Sequence, residues 1–192
     1  MHPAVEYLDI VKKVFVLFKD CELSFNDELK SISAMQKAMV GKEKGEGLGL
    51  TREELDKRSV HILKKDPITG KYDTIVKTTQ KEWKERLSKG GENINFIGNM
   101  CLVLYYQYWE DNYRGKIADK LGYEDKDDLK NDLFGDINKY RNSIIHHNSI
   151  ATEEIEKCKI LKWYKEGDEI VIDYLQMEEL FLLIEKEIKA LI

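Results

Sequence analysis

The chain has 192 residues, 42% of them hydrophobic and 35% charged, a balance that excludes a disordered polymer and leaves room for about one domain of 100–200 residues. The 31 Lys and Arg face 36 Asp and Glu, and the net charge of −5 excludes a global basic field, so any nucleic-acid contact must be local. The longest apolar run, residues 100–106, falls far short of the ~20 residues that span a bilayer.

Three scattered cysteines, Cys21, Cys101 and Cys158, form no Cys-x-x-Cys pair, which argues against a thiolate metal cluster and for a reducing compartment. Glu6 and Asp9 stand where a signal peptide would be basic and then apolar, so a cytoplasmic location is expected.

In chain order, Val5, Leu8, Val11, Phe15 and Phe18 recur at helical spacing and predict an amphipathic helix over 4–20. Ser24 or Asn26 can cap a second helix running to about Val40. Four glycines among charges over 41–49 predict a flexible loop, and the Walker Gly-Lys-Ser/Thr spacing is missing from it. Thr51 and Glu54 form a capping box, and the runs 60–63 and 72–76 flank Asp66-Pro-Ile-Thr-Gly70 as a hairpin. Thr79 and Glu82 restart a helix that should stop at Gly90-Gly91.

The longest periodic segment, 95–121, places Phe96, Met100, Val103, Leu104, Gln107, Tyr113, Ile117 and Leu121 along one side and Gly122 at its end. Residues 125–128 can cap a further helix through Leu129, Leu133, Ile137, Tyr140 and Ile144. The runs 159–164 and 169–173 around Lys165-Glu-Gly-Asp168 predict a second hairpin, and Asp173 with Gln176 caps a last helix. The sum is a mainly α protein, a helical bundle with two small β-hairpins. Residues 1–92 hold N-terminal helices, the Gly-rich loop and a hairpin of no assigned role, and residues 93–192 hold the helical core.

One stretch concentrates chemistry: Tyr140-Arg-Asn-Ser-Ile-Ile-His-His-Asn148. Arg141, followed directly by Asn142 and five residues on by His146, resembles the signature of the HEPN (higher eukaryotes and prokaryotes nucleotide-binding) family. The preceding helix, with Trp109-Glu-Asp-Asn-Tyr-Arg114, looks like the helix that packs beside the motif there, and the resemblance covers about 95–192. It implies a HEPN-like helical bundle and a homodimeric, metal-independent endoribonuclease, without cofactor, acting on RNA as a prokaryotic toxin or phage-defence component. A cognate antitoxin or other defence-system partner is implied too. A non-catalytic RNA- or nucleotide-binding or protein-interaction module is the alternative. One branch of the family carries a tyrosine two residues after the histidine as the acceptor of nucleotide groups, and Asn148 stands there instead.

On an ideal helix Asn142 and His146 share a face, whereas Arg141 lies about 140° from His146 beside the apolar arc of Ile137, Ile144 and Ile145. The pair is therefore expected to diverge within one chain and to meet across a two-fold axis between two copies. Arg141 is either paired internally, with Glu110 as partner, or poised for phosphate. Histidine, which titrates near neutrality, suits proton transfer at the ribose 2′-hydroxyl or the leaving 5′-oxygen, and arginine suits the phosphorane charge. His147 is the rival of His146; near Tyr140 at the edge of the expected core, it reads as a packed or surface histidine. Adjacent histidines do not chelate one zinc from a helix, where the productive spacing is i, i+4. The aromatic run 105–109 reads as packing, and His2, His61, Lys12-Lys13 and Lys64-Lys65 as solvated or structural.

Overall fold

A computed structural model describes residues 2–40 and 49–192. Most of the expected 41–49 loop therefore lies outside the described residues. Among the described residues the elements run as α1 (Pro3–Met39), α2 (Arg52–Asp56), β1 (Ser59–Lys65), β2 (Tyr72–Thr79), α3 (Gln80–Leu87), α4 (Glu92–Tyr108), a π-helical turn (Trp109–Tyr113), α5 (Arg114–Leu121), α6 (Asp132–His146) and α7 (Tyr174–Lys189). Short 3₁₀ turns precede and follow α6, at Lys126–Asp128 and Glu153–Lys157. The protein is mainly helical, with one two-stranded antiparallel sheet. The chain divides into two compact units, Met1–Cys21 with Asn95–Ile192, and Glu22–Ile94.

The two expected N-terminal helices are one, α1. Pro3 sits in its first turn, where a missing N–H costs nothing, and neither Ser24 nor Asn26 interrupts it because no Pro or Gly stops the chain there.

In the first unit, the start of α1 buries Ala4, Tyr7, Leu8, Val11, Val14 and Phe18. The Tyr7 hydroxyl donates to the Tyr105 carbonyl at 2.9 Å and the Tyr105 hydroxyl to the Val11 carbonyl at 3.3 Å, which ties α1 to α4. Trp109 stacks on Phe134 with ring centroids 3.9 Å apart, joining the π-helical turn to α6. The buried stripe of α6 is Leu133, Ile137, Tyr140 and Ile144, and that of α7 is Met177, Leu180, Ile184 and Ile188. Both repeat at three- and four-residue spacing, as an amphipathic helix requires. The α7 capping box of Asp173 and Gln176 is present as expected.

Two expectations for this unit fail. Of the side of 95–121 expected to face the core, Ile117 is fully buried, but Phe96, Leu104, Gln107 and Leu121 are exposed, and Cys101, Leu102, Tyr105 and Trp109 are buried instead. Several apolar stripes fit so hydrophobic a helix, and its polar Asn99 is buried with them. Nor is there a second hairpin: residues 158–173 form an irregular strap with one isolated bridge, Ile150 to Glu169. Side chains satisfy the strap's backbone instead of a ladder. The buried Asp136 carboxylate accepts from the N–H groups of Lys159, Ile160 and Leu161 at 2.6–3.1 Å. The Asn99 side chain accepts from the Ile172 N–H at 3.0 Å and donates to the Ile170 carbonyl at 2.9 Å.

In the second unit, Gln36 on α1 donates to Asp56 at 2.8 Å and to Gln80 at 2.9 Å, and Lys84 bridges to both Gln36 and Asp56. These bonds join α1, α2 and α3 around a buried amide. The expected first hairpin forms, Ser59 opposite Thr79 and Lys65 opposite Tyr72, with a bulge between Ile62 and Leu63. Its turn is held by Asp66, which accepts from the N–H groups of Ile68 and Thr69 at 2.7 and 3.0 Å.

Candidate active site

The Arg-Asn-x-x-x-His motif occupies the last turn and a half of α6. The helix starts later than residues 125–128 suggest: Asp125 caps only the 3₁₀ turn, and Asn131 caps α6 by accepting from the Phe134 N–H at 3.2 Å. It ends at His146, with His147 as its C-terminal cap. Asn148 and Ser149 follow at φ of 51° and 64°, the left-handed region that Asn tolerates best after Gly. The Ser149 N–H donates back to the Ser143 and Ile144 carbonyls, and the Asn99 amide donates to Ser149 Oγ at 3.1 Å. The chain thus turns sharply just past His146 and is pinned there by α4.

Arg141 and His146 converge within one chain. Arg141 Nη1 lies 3.3 Å from His146 Nε2 and donates to Asn142 Oδ1 at 2.9 Å. A helical wheel treats side chains as spokes, but a guanidinium on three methylenes lies along the helix surface and reaches the next turn. The expected divergence, and with it the geometric motive for completing the pair across two copies, is therefore corrected. Arginine carries only donors, so in this contact His146 Nε2 can only accept.

Glu110 is not the partner of Arg141. The π-helical turn places it against Arg114 at 3.0 Å and Lys126 at 2.8 Å, and Arg114 also meets Asp127 at 3.1 Å. Burial works against the Glu110 charge, but Lys126 and Arg114 outweigh it and hold the carboxyl below the usual range. No carboxylate among the described residues forms an ion pair with Arg141, and its Nε is buried without an acceptor. An unsatisfied cationic donor of this kind calls for a functional explanation.

His146, Asn142 and His147 are exposed and Arg141 is half-buried. His147, expected to be a packed or a surface histidine, sits at the surface. It borders a shallow groove of about 470 Å³ with Asn148, Thr152 and Glu166. Ile145, expected on the apolar arc, is also exposed, whereas Ile144 is buried. Of the aromatic run, Tyr105 and Trp109 are core residues. His61 meets Thr74 Oγ1 at 3.1 Å on the exposed hairpin. No group of three or more His, Cys, Asp or Glu side chains with metal-binding geometry occurs among the described residues.

Sequence reasoning missed Asn99 and Asp136, the two side chains that hold the backbone around the motif. A signal for the first exists: Gly98-Asn99 interrupts an apolar helix. A Cβ at Gly98 would stand 1.9 Å from the Ile172 carbonyl oxygen, so only glycine lets the strap approach.

Comparison of the chain with protein-family models, curated proteins and solved structures finds no match.

Proposed function

We propose that the chain is a metal-independent endoribonuclease of the HEPN type, a cytoplasmic homodimer serving as a prokaryotic toxin or phage-defence component under the control of a partner. One observation carries the reading: an arginine without a carboxylate partner among the described residues and a histidine meet at an exposed helix end. A phosphodiester draws the guanidinium onto its non-bridging oxygens, where two parallel N–H donors fit the tetrahedral charge. That movement frees His146 Nε2 to take the proton from the ribose 2′-hydroxyl. The 2′-oxygen attacks phosphorus, the bond to the 5′-oxygen breaks, and the leaving oxygen takes a proton from an acid that a second copy's His146 would supply. A 2′,3′-cyclic phosphate and a 5′-hydroxyl result, and no metal enters the step.

The alternative, a non-catalytic RNA- or nucleotide-binding module, is favoured by one feature: Arg141 already occupies the Nε2 lone pair. Incubating the purified protein with RNA in EDTA separates the two readings. Strand cleavage that His146→Ala removes supports the nuclease, and binding without cleavage supports the module.

A further inference from the structure

Beside the motif lies a cavity of about 240 Å³ between the π-helical turn and the start of α6, bordered by Tyr106, Lys130, Gly135 and Asn138 and by the ion-paired Glu110 and Arg114. It is below the about 300 Å³ at which sites for whole drug-sized ligands begin, and it suits a single flat ring system. We infer that this cavity is a base pocket for the ribonucleotide next to the scissile phosphate, its substrate class resting on the nuclease reading above.

Position supports the inference. Phe134, Gly135, Asn138 and then Arg141 and Asn142 follow one another at three- and four-residue spacing, so the cavity wall and the candidate catalytic cluster share one face of α6. Asn138 precedes Arg141 by ~4.5 Å of helix rise, a nucleotide's reach. Tyr106 lines the cavity, and burial, with Glu110, pushes its phenol upward on balance, against the pull of Arg114, Arg141 and Lys126.

The groups on the wall match the chemistry of a base. The Asn138 amide, half-buried, has no hydrogen-bond partner among the described residues, and neither has the Tyr106 hydroxyl. An unengaged amide offers a donor and an acceptor side by side, the pattern that reads a base edge. Lys130 forms no ion pair among the described residues and can meet a neighbouring phosphate. Trp109 and Phe134, buried and stacked on each other, hold the two sides of the cavity rigidly together.

Gly135 stands exposed on the cavity wall, and a Cβ there would meet nothing within 4 Å. Packing does not require the glycine, so a larger side chain can be introduced there to fill the cavity.

The test compares wild type with Gly135→Leu, Asn138→Ala and His146→Ala. Each is titrated calorimetrically with the four nucleoside 5′-monophosphates and with an oligoribonucleotide 2′-O-methylated throughout, which cannot be cut. Wild type and His146→Ala should bind one base in preference to the others, Asn138→Ala about tenfold more weakly, and Gly135→Leu not measurably. The melting temperature of Gly135→Leu should not fall, which separates a filled pocket from a damaged fold. Equal binding by all four proteins overturns the pocket, and mononucleotide binding that the oligonucleotide fails to displace overturns its assignment to RNA. If RNA is cut but both pocket variants cut at the wild-type rate and positions, the pocket falls and the nuclease stands. If no RNA is cut while oligonucleotide binding follows the variants, the nuclease falls and the base pocket stands.

Discussion

Arg141 Nη1 and His146 Nε2 lie 3.3 Å apart in one chain, five residues from one another on the final turns of α6. Because no described carboxylate pairs with Arg141 and its buried Nε has no acceptor, removing its head group loses no ion pair and should leave the fold almost unchanged. Catalysis should fall by about 10²–10³, the usual loss when a transition-state donor is deleted. Arg141→Lys should recover little, since an ammonium lacks the parallel donors of the fork. Paired denaturation and cleavage assays on both variants check this.

Asp136 should control acid stability. Burial alone would raise its carboxyl, but the N–H groups of Ile160, Leu161 and Lys159, with the Lys139 ammonium, outweigh it and hold the carboxyl below the usual range. A depressed folded value means that the stabilisation is fully present above the unfolded carboxylate range and is lost as pH falls through the folded value. Asp136→Asn should therefore cost at least about 1.5–3 kcal/mol at neutral pH. The gap to wild type should narrow in acid, which urea denaturation across pH 2–7 measures.

Gly98→Ala should be among the most damaging single-methyl additions, because the new Cβ would sit 1.9 Å from the Ile172 carbonyl oxygen. The expected destabilisation is about 1–3 kcal/mol or more. The strap and Ser149 share the Asn99 side chain, so cleavage should also drop under conditions where the variant remains folded. Thermal melts with activity measured well below the transition would show both effects.

The thiols should react in a fixed order. Burial pushes Cys101 and Cys158 up to about 12, assisted by Cys21 and Asp136 respectively, and the thiolate is the reactive form. Cys21 is only half-buried. A thiol reagent at pH 8 should label Cys21 alone in the native protein and all three cysteines in denaturant. Rapid native labelling of Cys158 would show that the start of the strap does not stay packed against α6.

Local signals in the sequence carried far where the chemistry was local. The capping boxes at Thr51, Thr79 and Asp173 all form, and Gly122 ends α5 at a φ of 84°. Alternation and a Pro-Gly turn were enough for the first hairpin. The second failed because the residues that satisfy its backbone, Asp136 and Asn99, lie 23 or more positions away in the chain. In α4 the apolar stripes are too many for periodicity to choose among, and the choice depends on which side packs against α1. At the site, the residues of the motif were legible but their arrangement was not. A wheel gives angles and takes no account of how far a guanidinium reaches.

The most direct measurement is the cleavage of a defined RNA by wild type, His146→Ala and His147→Ala in the presence of EDTA, with the new ends identified. Loss of a positioned proton-transfer group costs about 10²–10⁴ in rate. His146→Ala should therefore nearly abolish cleavage and His147→Ala should cost much less, with wild type leaving a 2′,3′-cyclic phosphate. Cleavage that EDTA stops, or that survives in His146→Ala, or no cleavage by wild type at all, would contradict the assignment.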